Sequence, residues 1–210
     1  MIKNLIILAL SLSIPLMADA RRYEYVSRFG DKCTTVIWSE EHNGGKIYLS
    51  TVNGSQKDDY VIAPDYKTER WHRMDASAHT DLTVSLNSDI YSISGTFKGK
   101  RISQRVKSKG KPWYQNIAYN AGRSLKGKKS LDYECFRPDN INLYTMKATR
   151  KGLENFNGAD AVCIKVSLTG MLSVFWSCQY FFNPTSLTFS GYKGVNGGPG
   201  TPETIITLRK

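Results

Sequence analysis

Ala161-Val-Cys-Ile-Lys-Val-Ser-Leu168, Thr169-Gly170, Met171-Leu-Ser-Val-Phe-Trp-Ser-Cys-Gln-Tyr-Phe-Phe182 is the stretch whose reading decides the fold. Two runs of β-branched and aromatic residues flank a glycine, which is the signature of paired strands. Asn183-Pro184 ends the second run. Leu187 to Tyr192 begins another, a Gly/Pro loop runs from Gly194 to Pro202, and Glu203-Thr-Ile-Ile-Thr-Leu208 closes the series. Consecutive antiparallel strands are expected throughout. A two-residue loop at Gly170-Met171 suits a type II′ turn, because glycine accepts a positive φ at the first central position. That register sets Cys163 opposite Cys178, close enough for a disulfide at a non-hydrogen-bonded pair. A loop at Thr169-Gly170 shifts the register by two and separates them.

Upstream the same rhythm continues. Tyr23 to Phe29, Cys33 to Trp38, Lys46 to Val52, Tyr60 to Ala63, Lys67 to Met74, Thr80 to Leu86, Ile90 to Ser94 and Ile102 to Val106 read as strands. Turn residues such as Asn43-Gly44-Gly45, Asn53-Gly54 and Asn87-Ser88 separate them. Leu131 to Phe136 and Ile141 to Ala148 follow. About a dozen short strands at this spacing are an all-β pattern. One segment breaks it. From Pro112 to Leu125, apolar residues fall at 113, 117, 121 and 125, which is helical spacing. Pro112 suits a first turn and Gly127 a stop. One short amphipathic helix is expected, with Trp113, Ile117 and Leu125 packed on a sheet.

Residues 1–20 read as an export signal. Lys3 supplies the charge, Leu5 to Leu16 the apolar run, and Ala18-Asp19-Ala20 the small-x-small cleavage site. Residues 21–210 then form one β-rich domain, exported and, in a bacterial envelope, periplasmic. All four cysteines lie in it, and an even count in an exported chain points to disulfides. With Cys163 paired to Cys178, Cys33–Cys135 is the remaining pair; buried free thiols are the alternative. No zinc spacing occurs, and no metal or cofactor is expected.

Lys and Arg number 29 against 18 Asp and Glu, a net charge of +11. Such a chain favours anionic surfaces, either lipid headgroups or acidic glycans. Nucleic acid is set aside because the chain is exported. Lys98, Lys100, Arg101, Arg105, Lys107, Lys109 and Lys111 form a basic run. It reads either as a docking strip for headgroups or as an edge strand guarded by lysines. Hydrolase and phosphate-loop motifs do not occur. His72 and His79 lie near Asp75 and Asp81, but residues 72 and 75 of a strand point to opposite faces, so no catalytic residue is assigned. Trp176, Tyr180 and Phe182 share one strand face. With Trp113 and Ile117 they are the candidate apolar wall of a ligand site.

Lys111-Pro112-Trp113, the strand–Gly170–strand block with Phe175-Trp176 and Tyr180-Phe181-Phe182, and Gly197-Gly-Pro-Gly-Thr-Pro-Glu-Thr204 resemble a group of uncharacterised exported bacterial proteins. That group in turn resembles the lipoprotein-carrier (LolA-like) fold. The resemblance implies an unclosed antiparallel barrel with helices lying in its concave side and an apolar ligand there. With the strands and the one helix read from the residues, the expected fold is mainly β: a single strongly curved antiparallel sheet or open barrel with one short amphipathic helix packed on it. No functional residue carries over by motif. Three functions are weighed. The first is a binder of an amphipathic or lipid-like ligand. The second is a non-catalytic envelope interaction protein with a basic docking surface. The third, an enzyme acting on envelope polymer, would need a histidine against a carboxylate in a cleft.

Overall fold

The computed structural model describes residues 20–170, 176–195 and 201–209. Of the segment 1–20 read from sequence as an export signal, residues 1–19 lie outside the described residues, as do Met171 and Phe175 and the glycines 197, 198 and 200. Eight strands form a first antiparallel meander: β1 (Ala20–Phe29), β2 (Lys32–Asn43), β3 (Lys46–Asn53), β4 (Gln56–Ile62), β5 (Thr68–Asp75), β6 (Thr80–Asn87), β7 (Ile90–Phe97) and β8 (Lys100–Lys107). A helix, α1 (Ile117–Ser124), follows. A second meander comprises β9 (Ser130–Phe136), β10 (Leu143–Phe156), β11 (Ala159–Leu168), β12 (Ser177–Phe182), β13 (Phe189–Val195) and β14 (Glu203–Leu208). β14 pairs with β1, Leu208 facing Tyr25, so the two meanders join into one open 14-stranded sheet with β8 and β9 at its edges.

Tight turns explain the meander. At Gly44-Gly45, Lys98-Gly99 and Asn157-Gly158 both central residues have positive φ, the type I′ geometry that matches strand twist. The hairpin marked by Asn53-Gly54 forms one residue later than that dipeptide implies: Asn53 pairs with Gln56, and the loop is Gly54-Ser55.

The sheet curls strongly. Twelve strand steps separate β7 from β9, roughly 58 Å if the sheet were flat at about 4.8 Å per step. Yet the Tyr91 hydroxyl on β7 donates to Glu134 Oε2 on β9 at 2.9 Å. The chain needs this proximity, because residues 108–129 must carry it from one edge of the sheet to the other. The segment after β8 fills the gap. Tyr114 N–H donates to Glu134 O (3.0 Å), Glu134 N–H to Pro112 O (2.8 Å), and Thr68 N–H to Trp113 O (2.8 Å). The Gln115 side chain extends the ladder, accepting from Phe136 N–H and donating to Phe136 O. An edge covered in this way offers no template for another chain.

The Glu134 carboxylate is fully buried. Its Oε1 accepts from the backbone N–H of Lys109 (2.8 Å) and Lys111 (3.0 Å), and the Ser108 hydroxyl reaches Oε2 at 3.0 Å. These bonds hold residues 108–114 extended, which is why the helix begins at Ile117 and not at Pro112. Asn116 is its N-cap, its side chain accepting from Tyr119 N–H. Trp113 is therefore not on the helix. It is buried in the edge closure, edge-on to Tyr91 at 5.2 Å and to Phe136 at 6.2 Å.

The core lies on the concave face, where Tyr25, Leu49, Ile62, Trp71, Val84 and Ile93 from the first meander meet Tyr133, Ala148, Ile164 and Phe182 from the second. A small second cluster sits on the convex face. There Phe156 stacks on Phe181 at 4.1 Å, above Ala161 and Cys163.

The expected disulfides do not form; Cys33, Cys135, Cys163 and Cys178 are free thiols. Residues 169–176 connect β11 to β12 in place of a two-residue turn. Cys178 consequently faces Val166, and Cys163 faces Phe181. A three-residue shift is odd, so it turns the two cysteines to opposite faces of the sheet. Cys33 is exposed near the start of β2, and Cys135 is half-buried on edge strand β9. Burial pushes the thiols of Cys135, Cys163 and Cys178 up to about 12. Thiolate is the reacting form. At pH 8 the folded protein is expected to take one alkylating group, at Cys33, and the denatured protein four. Intact-mass measurement checks both numbers, and a mass two or four hydrogens light would restore a disulfide.

Candidate functional site

Helix α1 lies in the concave face and divides it. One side of the helix sits down hard on the second meander. Gly122 makes this approach possible: a Cβ there would come 2.7 Å from Phe182 Cδ1 and 2.8 Å from Leu187 O. Ile117, Ala121 and Leu125 are buried on this docking side. One turn before Gly122, on the same face, a hollow of about 210 Å³ lies between Ala118 and strands β1, β2, β12, β13 and β14.

The hollow is aromatic. Trp38 stacks on Phe189 at 5.3 Å with the rings 9° apart, and Tyr25 tilts against both at 4.9 and 5.2 Å. Tyr192 meets Tyr180 edge-on at 5.0 Å. Val36 and Ile206 complete the lining with Ala118, all three half-buried. Gly194 gives Tyr192 its space, since a Cβ would lie 2.7 Å from the Tyr192 hydroxyl and 2.5 Å from Cys178 Cβ. Burial holds the hydroxyls of Tyr25, Tyr180 and Tyr192 well above the ordinary tyrosine value, so these walls stay uncharged. Tyr25 spends its proton on Phe189 O at 3.2 Å.

A polar cluster lies next to it. Glu40, two residues along β2 from Trp38, is buried and accepts from the Tyr119 hydroxyl (2.9 Å) and from His42 Nε2 (2.6 Å). This ties α1 to β2. Arg123, one helical turn beyond Tyr119, lies 4.8 Å over the Tyr119 ring and 5.6 Å over Tyr66. Its guanidinium is half-buried, donates from Nη1 to Tyr119 O at 3.5 Å, and has no carboxylate within ion-pair distance among the described residues.

Of the five wall residues read from sequence, Tyr180 lines the hollow. Phe182 is fully buried under Gly122, Ile117 is buried at the start of α1, and Trp113 is in the edge closure. Trp176 is half-buried just before β12 and donates from Nε1 to Val195 O at 2.8 Å. Tyr25, Trp38, Phe189 and Tyr192 were not singled out, because they come from three strands, β1, β2 and β13, whose adjacency depends on the β1–β14 pairing.

The basic run divides among several environments. Arg101, Arg105 and Lys107 point outward from edge strand β8, and Lys100 takes the opposite side. Lys98 sits in the β7–β8 turn and donates from Nζ to Asp139 O at 2.7 Å. Lys109 and Lys111 lie beyond the strand, their N–H groups on Glu134. Five strands separate β8 from β2 in the sheet, so the run does not border the hollow through the sheet.

A histidine–carboxylate contact does occur: His72 Nε2 is 2.8 Å from Asp81 Oδ1. It lies on the convex face, with the Asp81 side chain 70% exposed, which is not the enclosed cleft that general-base chemistry uses. A shallow recess of about 600 Å³ touches His72, and its lining mixes charged residues such as Arg22, Glu41, Lys57 and Asp59 with Tyr48 and Val61. Among the described residues no group of three or more His, Cys, Asp or Glu is placed to hold a metal ion.

No family model matches the chain, and no curated protein matches it. Among solved structures the chain is similar to that of a DUF1329 family protein from Desulfovibrio piger. The TM-score is 0.30 and the identity 10%, covering 92% of this chain and 85% of that one.

Proposed function

We propose that the protein is an exported envelope protein that binds the apolar part of an amphipathic, lipid-like ligand in the hollow beside α1. The single observation that carries this reading is the open aromatic hollow of about 210 Å³ on the concave face. Its size lies below the roughly 300 Å³ at which pockets for whole drug-sized ligands begin. It therefore suits one alkyl chain and not an entire diacyl lipid. Each buried methylene contributes about 0.8 kcal/mol. Arg123, with its planar fork and no carboxylate partner among the described residues, is the group to meet an anionic head. The resemblance to lipoprotein carriers points the same way, since the helix lies in the concave side of an open curved sheet.

Native mass spectrometry of protein purified without detergent tests the reading, and bound masses released by organic extraction are the expected result. Ala118→Phe should fill the hollow from its mouth. The bound mass is expected to disappear while the unfolding midpoint stays within about 0.5 kcal/mol of the parent, as for a half-exposed site. A protein that carries no apolar mass, before and after incubation with long-chain fatty acid, rules the reading out.

The outward Arg101, Arg105 and Lys107 of edge strand β8 favour a second reading, a non-catalytic interaction protein that docks on an anionic envelope surface. Salt-dependent retention on envelope fractions, lost in Arg101→Gln/Arg105→Gln, would support it.

A further inference from the structure

We infer that the convex face of β9–β12 holds a second binding site, for a ligand carrying two or more phosphoryl groups. The groove there has a volume of about 760 Å³, and its lining includes Lys147, Lys151 and Lys165. Strand register sets their arrangement. Thr149 on β10 faces Lys165 on β11, and Lys147 and Lys151 flank Thr149 along β10. Directly opposed side chains have Cβ atoms about 5 Å apart, and same-face neighbours along a strand about 7 Å. Three ammonium groups thus surround one threonine.

Two features show that this crowding is not a solvated face by default. First, a β-bulge between Arg150 and Gly152 leaves Lys151 unpaired in the ladder, and Gly152 takes a φ of +115° beside it. Such bulges re-aim one side chain, and they gather at functional sites. Second, Lys147, Lys151 and Lys165 line one groove, and none of them has a carboxylate within 4.0 Å among the described residues; scattered lysines such as Lys32 and Lys126 are also unpaired, so it is the gathering in one groove that sets these three apart. Asp132, opposite Lys147, is the one carboxylate in the lining, and Glu154 further along β10 is engaged by Gln179 Nε2 at 3.4 Å.

Like charges this close repel one another, and a multivalent anion relieves the repulsion. Lysine binds phosphate as a point charge with three donors. The hydroxyls of Thr149, Ser167 and Ser177 add neutral donors across the groove. The volume lies within the 300–1,000 Å³ range of ligand sites, more than one phosphate needs. The site is on the opposite face of the sheet from the hollow and stands independently of it.

Titration calorimetry of the full chain with sodium tripolyphosphate at low ionic strength tests the site. Saturable one-to-one binding that weakens as salt is added is expected. Lys147→Gln/Lys165→Gln should lower the affinity by at least about tenfold, as two charge-assisted contacts are removed. Both lysines are exposed, so the unfolding midpoint and the mass bound in the hollow should not change. The inference is overturned by no saturable binding or by equal affinity in the double variant. It is also overturned if phosphatidylglycerol vesicles bind in a lysine-dependent way while tripolyphosphate does not, which would assign the face to a bilayer.

Discussion

Replacing Glu134 by alanine should lower the unfolding free energy by at least about 3 kcal/mol, because several buried donors lose their acceptor at once. The carboxylate takes backbone N–H groups from Lys109 and Lys111 and hydroxyls from Ser108 and Tyr91, and it is fully buried. Burial, and then the bond to Glu134, keeps the Tyr91 hydroxyl well above the usual tyrosine value, so it serves only as a neutral donor. The loss should be local before it is global. Amides of β9 and of residues 109–114 are expected to exchange with solvent faster than those of β3 and β4. Glu134→Gln keeps one oxygen for the two backbone donors and should cost less. Urea denaturation with hydrogen exchange reads both; a cost under about 1 kcal/mol for the alanine variant would mean that the carboxylate does not join the edges.

The second large effect is expected at Asp58. This buried carboxylate accepts from Trp71 Nε1 at 2.8 Å, Gln56 Nε2 at 2.6 Å and Arg73 Nη1 at 3.2 Å. Asp58→Ala leaves the largely buried Arg73 guanidinium with Asp75 alone, at 4.0 Å, and should cost about 3 kcal/mol. Asp58→Asn separates charge from shape. Burial raises the Asp58 carboxyl above its ordinary 3.8, outweighing the opposing pull of Arg73 and the donors. A raised carboxyl binds its proton more tightly in the folded state. Its contribution to stability is complete below the unfolded value and is lost as pH rises through the folded one. The stability gap between the parent and Asp58→Asn should therefore be widest below about pH 4 and shrink at higher pH. Denaturation at a series of pH values reads the gap, and one that widens toward neutrality would reverse the assignment.

The strands were legible because alternation and turn chemistry are local. Leu82, Val84 and Leu86 declare one face of β6 within a single run, and Gly44-Gly45 declares its turn. What stayed hidden depends on distant partners. The β11–β12 register turned on a connection through residues 169–176, where Gly170 had the look of a tight turn. The Pro112–Leu125 pattern is periodic enough for helix throughout, but Glu134, Thr68 and Phe136 claim the backbone near residues 112–115. Gly122 looked like a weak point in a helix until Phe182 and Leu187 were seen against it. The hollow was least readable of all. Its aromatic residues are individually conspicuous, but the sheet order that gathers them rests on β1 finding β14. The bulge at Gly152 was not legible either, because the strand pattern was followed only to Ala148 while β10 runs on to Phe156.

The pairing of β1 with β14 has a consequence for biogenesis. Tyr25 takes its neighbour from Leu208, so the middle of the sheet joins the first and the last of the described strands in chain order. The first eight strands can zip as they emerge, yet one flank of β1 waits until nearly all the described chain has been made. Closing so wide a loop is slow, and an unpaired strand flank is prone to mispairing during the wait. Shielding of the free flank of β1 until β14 has been made, and a severe folding defect on deletion of Glu203–Leu208, are what this pairing implies.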